Sequence, residues 1–264
     1  MLCRESVVSA SSPSPVGHPA VSQARAIDPL ELYAAAIDTS DYVARLSPVV
    51  RRLVPRIGEL LDIGAGGGQL GAALQDRAFP WTAIEPSAAM HARLARLASS
   101  PRLIAADWYE ADLPAASHDT VLAATMPALF DRPEAFLARC LAWARGNVVW
   151  VVPAHQGPRG LCFAGCLPAR WHGEDETPGI DIVLSGLAPQ SRPHDIAFVD
   201  WTFSGVVADL PGLSAYLADR LGWAADDPRR RELAAHLAAQ ALPDAAGLRL
   251  NIARKSAVLV WGRQ

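Results

Sequence analysis

The sequence predicts a doubly wound α/β fold, and three observations carry that expectation. Leu60-Leu61-Asp62-Ile63 opens into Gly64-Ala65-Gly66-Gly67-Gly68, an apolar run with one acid feeding a glycine-rich turn. Short apolar runs then alternate with helical stretches as far as Pro153. A last apolar run, Ser256-Ala257-Val258-Leu259-Val260-Trp261, closes the chain. Strand–helix alternation with short connections implies a mostly parallel sheet covered by helices on both faces.

Taken in order, residues 1–27 are rich in Ser, Pro, Val and Ala and read as a disordered leader, with residues 28–264 as the folded domain. Asp28-Pro29 is a helix start, an N-cap acid followed by proline at the first helical position. A second helix is expected over 41–56, broken at Pro48. The runs 60–63, 81–85, 102–105, 119–124 and 147–152 read as strands, and 67–78, 87–98 and 132–144 as helices. Residues 154–195 are rich in glycine and proline and show no regular period, which reads as a lid or binding insertion. A β-rich run at 196–203, helices at 211–221 and 228–240, and the closing strand complete the order.

The 264 residues fit one embellished α/β domain, and with 51% hydrophobic residues a large core is available. Twenty-four Lys plus Arg against 27 Asp plus Glu leave a net charge of −3, which gives no electrostatic case for DNA. Arg51, Arg52 and Arg56, and Arg229 to Arg231, read as solvated helix faces. No apolar run of about 20 residues is present to span a membrane, and no signal-peptide core is present. The four scattered cysteines suit a reducing compartment, so the expected location is cytoplasmic.

The site is expected where the glycine turn meets Glu85. Glycines there allow positive φ and let a ligand lie against bare main chain. Glu85 ends the run Trp81-Thr82-Ala83-Ile84, where a carboxylate can take both hydroxyls of a ribose. Together they point to an adenosyl cofactor. Gly66-x-Gly68-x-x-Gly71 also satisfies a dinucleotide-binding pattern. Asp62 argues against that reading, because it would face two phosphates, whereas an ammonium tolerates it.

The order and motifs resemble the class I S-adenosylmethionine-dependent methyltransferases. Leu61-Asp62-Ile63-Gly64-Ala65-Gly66-Gly67-Gly68 is similar to the family's first motif, hydrophobic-Asp-hydrophobic-Gly-x-Gly-x-Gly. The resemblance implies a Rossmann-like, seven-stranded, mostly parallel sheet whose last strand is antiparallel. It implies S-adenosyl-L-methionine as cofactor, with Asp62, Gly64, Ala65, Gly66 and Gly68 at its methionine half. Glu85 and Pro86 stand at the ribose, Asp107 and Trp108 at the adenine, and Thr125 at the end of the fourth strand near the transfer centre.

Outside the cofactor set, His155 and His172 are the candidate acid–base groups, His172 beside Glu174-Asp175-Glu176. Cys162 and Cys166 lie near both histidines, but their spacing matches no common zinc finger, so buried packing is expected and no metal. The strand-four end Ala123-Ala124-Thr125-Met126-Pro127 lacks the Asn/Asp-Pro-Pro-aromatic signature of base methylators. A small organic acceptor is therefore expected, with 154–195 and the helices at 28–56 walling its pocket. Methylation of a protein or RNA, docked through Arg51, Arg52 and Arg56, and non-catalytic cofactor binding are the alternatives. The sequence leaves the acceptor atom and the oligomeric state open.

Overall fold

The structure is a computed structural model that describes residues 27–126, 130–158 and 163–262. The leader, together with Arg159 and Cys162, lies outside the described residues. Two helices come first, α1 (Pro29–Thr39) and α2 (Tyr42–Leu53). Alternation follows: β1 (Leu60–Ile63), α3 (Gln69–Leu74), β2 (Trp81–Ile84), α4 (Ala88–Leu94), β3 (Arg102–Ile104), β4 (His118–Ala124), α5 (Pro133–Trp143) and β5 (Ala144–Pro153). The second half holds α6 (Ala169–His172), α7 (Gly179–Ser185), β6 (Asp195–Val207), α8 (Leu210–Arg220), α9 (Arg229–Gln240), β7 (Leu242–Asp244) and β8 (Gly247–Gly262).

The strands form one sheet in the order β3-β2-β1-β4-β5-β8-β6, with short β7 paired to β8 outside that path. Neighbours from β3 to β5 run parallel, and β8 is inserted antiparallel between β5 and β6. The seven expected strands thus become eight. Asp244 and Gly247 close a tight hairpin that the sequence reading did not separate from its neighbours.

Alternate residues of each central strand enter opposite cores, which is why these strands read as unbroken apolar runs. Leu60, Val149 and Val151 face α2, α3 and α8, while Leu61, Ile63, Val148, Trp150 and Val152 face α5 and α7. The strand order reverses between β1 and β4. Their carboxyl ends therefore flank the crevice where an open α/β sheet binds its ligand.

Two local expectations need correction. Asp28 caps α1 as read, its Oδ1 accepting from the Leu30 and Glu31 amides at 2.8 and 3.1 Å. Helix α2, however, runs through Pro48 without a break, because burial of Tyr42, Leu46 and Val50 along one face outweighs the lost hydrogen bond. The insertion 154–195 is also more ordered than its composition suggested. Ile180 and Val183 of α7 enter the core beside α5, and Phe163, Ala164, Cys166 and Leu167 enter the opposite one.

Candidate active site

The glycine turn is built from alternating left-handed residues: Gly64, Gly66 and Gly68 have φ of 61°, 55° and 76°. A side chain at any of them would be strained, which explains why glycine recurs at every second position. A Cβ on Gly66 would meet open space, so that residue presents bare backbone to a cavity. A Cβ on Gly64 would instead collide with the Met126 side chain. The turn is tied to β2 by the Gly64 amide, which donates to the Ile84 carbonyl at 2.8 Å.

Glu85 sits one residue past β2 and is 6% exposed. Its Oε2 accepts from the Gly66 amide at 2.8 Å and its Oε1 from the Ser87 amide at 2.9 Å. The carboxylate thereby locks the glycine turn to the start of α4, and each oxygen keeps a second lone pair for a ligand hydroxyl. Ser87 caps α4, its Oγ accepting from the Met90 amide at 3.4 Å.

Asp62 lies mid-sheet on β1 and is 3% exposed. Among the described residues its carboxylate accepts no hydrogen bond. Burial, with the Glu85 charge adding to it, pushes its pKa up to about 8. A buried carboxylate without a partner is costly unless a cation arrives to pair with it.

Both acids line a cavity of about 450 Å³ at the carboxyl ends of β1, β2 and β4. Of the residues expected at a cofactor, Asp62, Gly64, Ala65, Gly66, Glu85, Pro86, Asp107, Trp108 and Thr125 all reach its lining. Gly68 does not. It starts α3 and packs beneath Leu94 and Leu97 instead. Asp107 accepts from the Tyr109 hydroxyl at 3.1 Å. Trp108 stands edge-on to Phe136, ring centroids 5.2 Å apart.

Thr125 directly follows β4 with φ of 56°, a strained conformation for a β-branched residue. Its hydroxyl lies 2.9 Å from the Tyr42 hydroxyl. Tyr42 also lines the cavity, as do Leu30, Tyr33, Ala34 and Ile37 of α1. The sequence reading placed 28–56 at the pocket without singling out these residues. Their common face was legible only as a buried stripe, since the surface that α1 covers belongs to distant segments.

The insertion 154–195 contributes no described residue to this cavity, contrary to its expected role as a lid. The two candidate histidines in it likewise do not line the cavity. Arg254 can only donate, so the His155 Nε2 accepts from its Nη1 at 2.6 Å and Nδ1 carries the proton toward the Lys255 carbonyl at 3.0 Å. The His172 side chain is buried, its Nδ1 accepting from the Glu174 amide at 3.1 Å, while its Nε2 faces Glu176 Oε1 at 3.4 Å without a hydrogen bond. Among the described residues, no cluster of three His, Cys, Asp or Glu is arranged to hold a metal ion. Cys140 and Cys166 are buried free thiols, the latter pushed up to about 11 by burial.

Residues 60–146 match the family model for a methyltransferase domain. That stretch carries a methyltransferase domain. No curated protein matches the chain in sequence. Among solved structures, a candidate type II methyltransferase from Anaeromyxobacter dehalogenans shares 18% identity at a TM-score of 0.51, covering 83% of this chain and 96% of its own. A candidate methyltransferase from Bacillus halodurans shares 10% identity at a TM-score of 0.47, covering 81% and 97%. The residues of this methyltransferase fit the cofactor its family uses. The unpartnered, buried Asp62 suits the ammonium of the methionine half, and the bare Gly66 backbone leaves that half room. Glu85, with a spare lone pair on each oxygen, suits a ribose diol.

Proposed function

We propose that this methyltransferase acts on a small organic acceptor, by in-line displacement at the methyl group that S-adenosyl-L-methionine supplies. One observation carries the reading: helix α1 borders the cavity with Leu30, Tyr33, Ala34 and Ile37, so that apolar side chains bound a space of small-molecule size beside the cofactor residues. Gln69 Nε2 holds that helix down, donating to the Ala34 carbonyl at 3.0 Å and to Asp38 Oδ1 at 2.7 Å. Arg93 reaches it from α4, pairing with Asp38 and with Glu31 at 3.3 Å.

The chain's own groups then bind, orient and exclude water. Asp62 takes the ammonium, Glu85 the two ribose hydroxyls, and Asp107 with Trp108 borders the adenine. A displacement with a neutral leaving group needs near-attack geometry above all, and a dry, walled site supplies it. Two of the three arginines considered for docking RNA or protein have contacts within the domain. Arg51 Nη2 donates to the Ala73 and Leu74 carbonyls at the end of α3, and Arg56 stacks on Phe79. No helix among the described residues is long and apolar enough to cross a membrane. Free buried thiols at Cys140 and Cys166 suit a cytoplasmic setting.

Calorimetric titration tests this reading. S-adenosylmethionine and S-adenosylhomocysteine should bind with one site each, and NADH should not. Transfer of a labelled methyl group should then go to the small-molecule fraction of a cell extract. Binding of NADH alone, or label found only in protein or RNA, would overturn it.

A further inference from the structure

With Asp62 and Glu85 given to the cofactor, the rest of the wall is made mainly of Leu30, Tyr33, Ile37, Tyr42, Trp108 and Met126. Among the described lining residues none is Lys, Arg or His. An acidic or phosphorylated acceptor would therefore enter without a counter-charge, at a large desolvation cost. In that reading the described acids of the lining are given to the cofactor, Asp62 to the ammonium, Glu85 to the ribose and Asp107 to the adenine side. No other described lining residue is an acid or histidine able to take a proton from an alcohol.

A polar feature on the α1–α2 side is the hydroxyl pair Tyr42–Thr125. It is fixed from both ends. Tyr42 is 4% exposed and packs edge-on against Trp201, ring centroids 4.7 Å apart. The Thr125 amide donates to the Val151 carbonyl at 2.9 Å while its backbone is strained into the left-handed region. Strain of that kind persists where neighbours impose it, and it gathers at sites of action. The pair lies just past the end of β4, beside the Gly64 turn that follows Ile63, whose register partner on β4 is Ala123.

We propose that the acceptor is a small, uncharged, largely apolar molecule that reacts through a nitrogen or sulfur lone pair, and that the Tyr42 hydroxyl, held by Thr125, orients it. The inference rests on the small-molecule methyl-transfer reading of the same cavity. In the step, the bond from the nucleophile to the methyl carbon forms as the bond from that carbon to the donor sulfur breaks, its electron pair staying on the sulfur. A neutral thioether sulfur becomes a sulfonium and has no proton to lose. A neutral aromatic amine or ring nitrogen becomes cationic, and an amine then loses its proton to water. Neither needs a base from the protein. Burial, with neighbouring Tyr33 adding to it, raises the Tyr42 hydroxyl well above the usual phenol range, so it stays protonated and serves as a hydrogen-bonding group only.

The test uses the full chain, S-adenosylmethionine with a labelled methyl group, and a metabolite extract separated at pH 7 into anionic, cationic and uncharged pools. Label should appear in a product of the uncharged pool, on nitrogen or sulfur. Label on an acidic or phosphorylated compound, or on oxygen, would overturn the inference while sparing the methyltransferase reading. No labelled small molecule from any pool, with cofactor binding intact, would bring down both. Tyr42→Phe supplies a second readout. Cofactor affinity should move less than about two-fold and acceptor KM should rise about five- to ten-fold, with kcat and its pH profile kept. A loss of about 100-fold in kcat together with one limb of that profile would make Tyr42 a base and sink the proposal.

Discussion

The Asp62 carboxylate lies against the Cα of Gly71 in the first turn of α3, so closely that a methyl group there would collide with Oδ2 and stand 2.9 Å from the Trp81 ring. Gly71, which completes a dinucleotide-like glycine pattern in the sequence, is thus a packing glycine that lets a helix rest on a buried acid. Alanine at this position would gain about 1 kcal/mol of helix propensity. Overpacking against β1 and β2 would cost about 1–3 kcal/mol. Gly71→Ala should therefore lower the melting temperature and, by displacing Asp62, weaken S-adenosylmethionine binding. An unchanged affinity would show that Asp62 does not contact the cofactor.

Glu85 is both a structural brace and a ligand group, and two substitutions separate the roles. Glu85→Ala removes the acceptors for Gly66 and Ser87 as well as those for the ribose. Glu85→Gln keeps one acceptor oxygen but turns an amide NH2 toward a backbone N–H. Charge-assisted hydrogen bonds are worth about 1.5–3 kcal/mol each, so calorimetry should show affinity reduced at least about tenfold in both, with alanine worse. Binding by Glu85→Ala within twofold of wild type would refute the assignment.

Much of this site was legible from residues 60–126 alone, because alternating left-handed positions demand glycine and a strand-end acid has few structural uses. The mostly parallel sheet covered by helices followed from the strand–helix alternation in the same way. The far wall was not legible. Leu30, Tyr33 and Tyr42 reach the cavity through tertiary docking, with Thr39 Oγ1 donating to the Ser204 carbonyl across 165 positions of sequence. His155 and His172 stand away from the cavity, which residue type alone could not reveal: His155 bonds Arg254 and Lys255, and His172 Nδ1 bonds the Glu174 amide. The insertion misled through composition, since glycine and proline hid the short helix α7 that feeds the core.

The buried Asp62 predicts how stability and binding respond to pH. Its pKa in the folded, ligand-free protein is raised to about 8, far above that of an unfolded aspartate. The folded state therefore holds the extra proton, and the protonated carboxyl contributes most below the unfolded value. That contribution is lost as pH rises through 8. Asp62→Asn should raise the melting temperature at pH 8 and change it little at acid pH. A cationic ligand reverses the preference by favouring the carboxylate. Cofactor binding to wild type at pH 7 should release protons, seen as a buffer-dependent heat, and Asp62→Asn should abolish most of that release while weakening binding. Identical buffer dependence in both proteins would rule out pairing between Asp62 and the ammonium.

Helix α1 is pinned at its C-terminal end by Thr39 and by Tyr33, which stacks on Phe203 at 5.7 Å. Across the cavity mouth it is held by Arg93 and Gln69 alone among the charged and amide side chains described. Arg93 is largely covered while Asp38 and Glu31 are partly exposed, so the pairs are screened and add about 1 kcal/mol or less to global stability. Their effect should be local. In Arg93→Ala the melting temperature should fall only slightly, whereas amides of residues 30–38 should exchange with deuterium faster. S-adenosylhomocysteine should also dissociate faster, because the covering helix is released at the end nearest the crevice. Exchange and dissociation both unchanged would mean that α1 is held by its packing against β6 rather than by the latch.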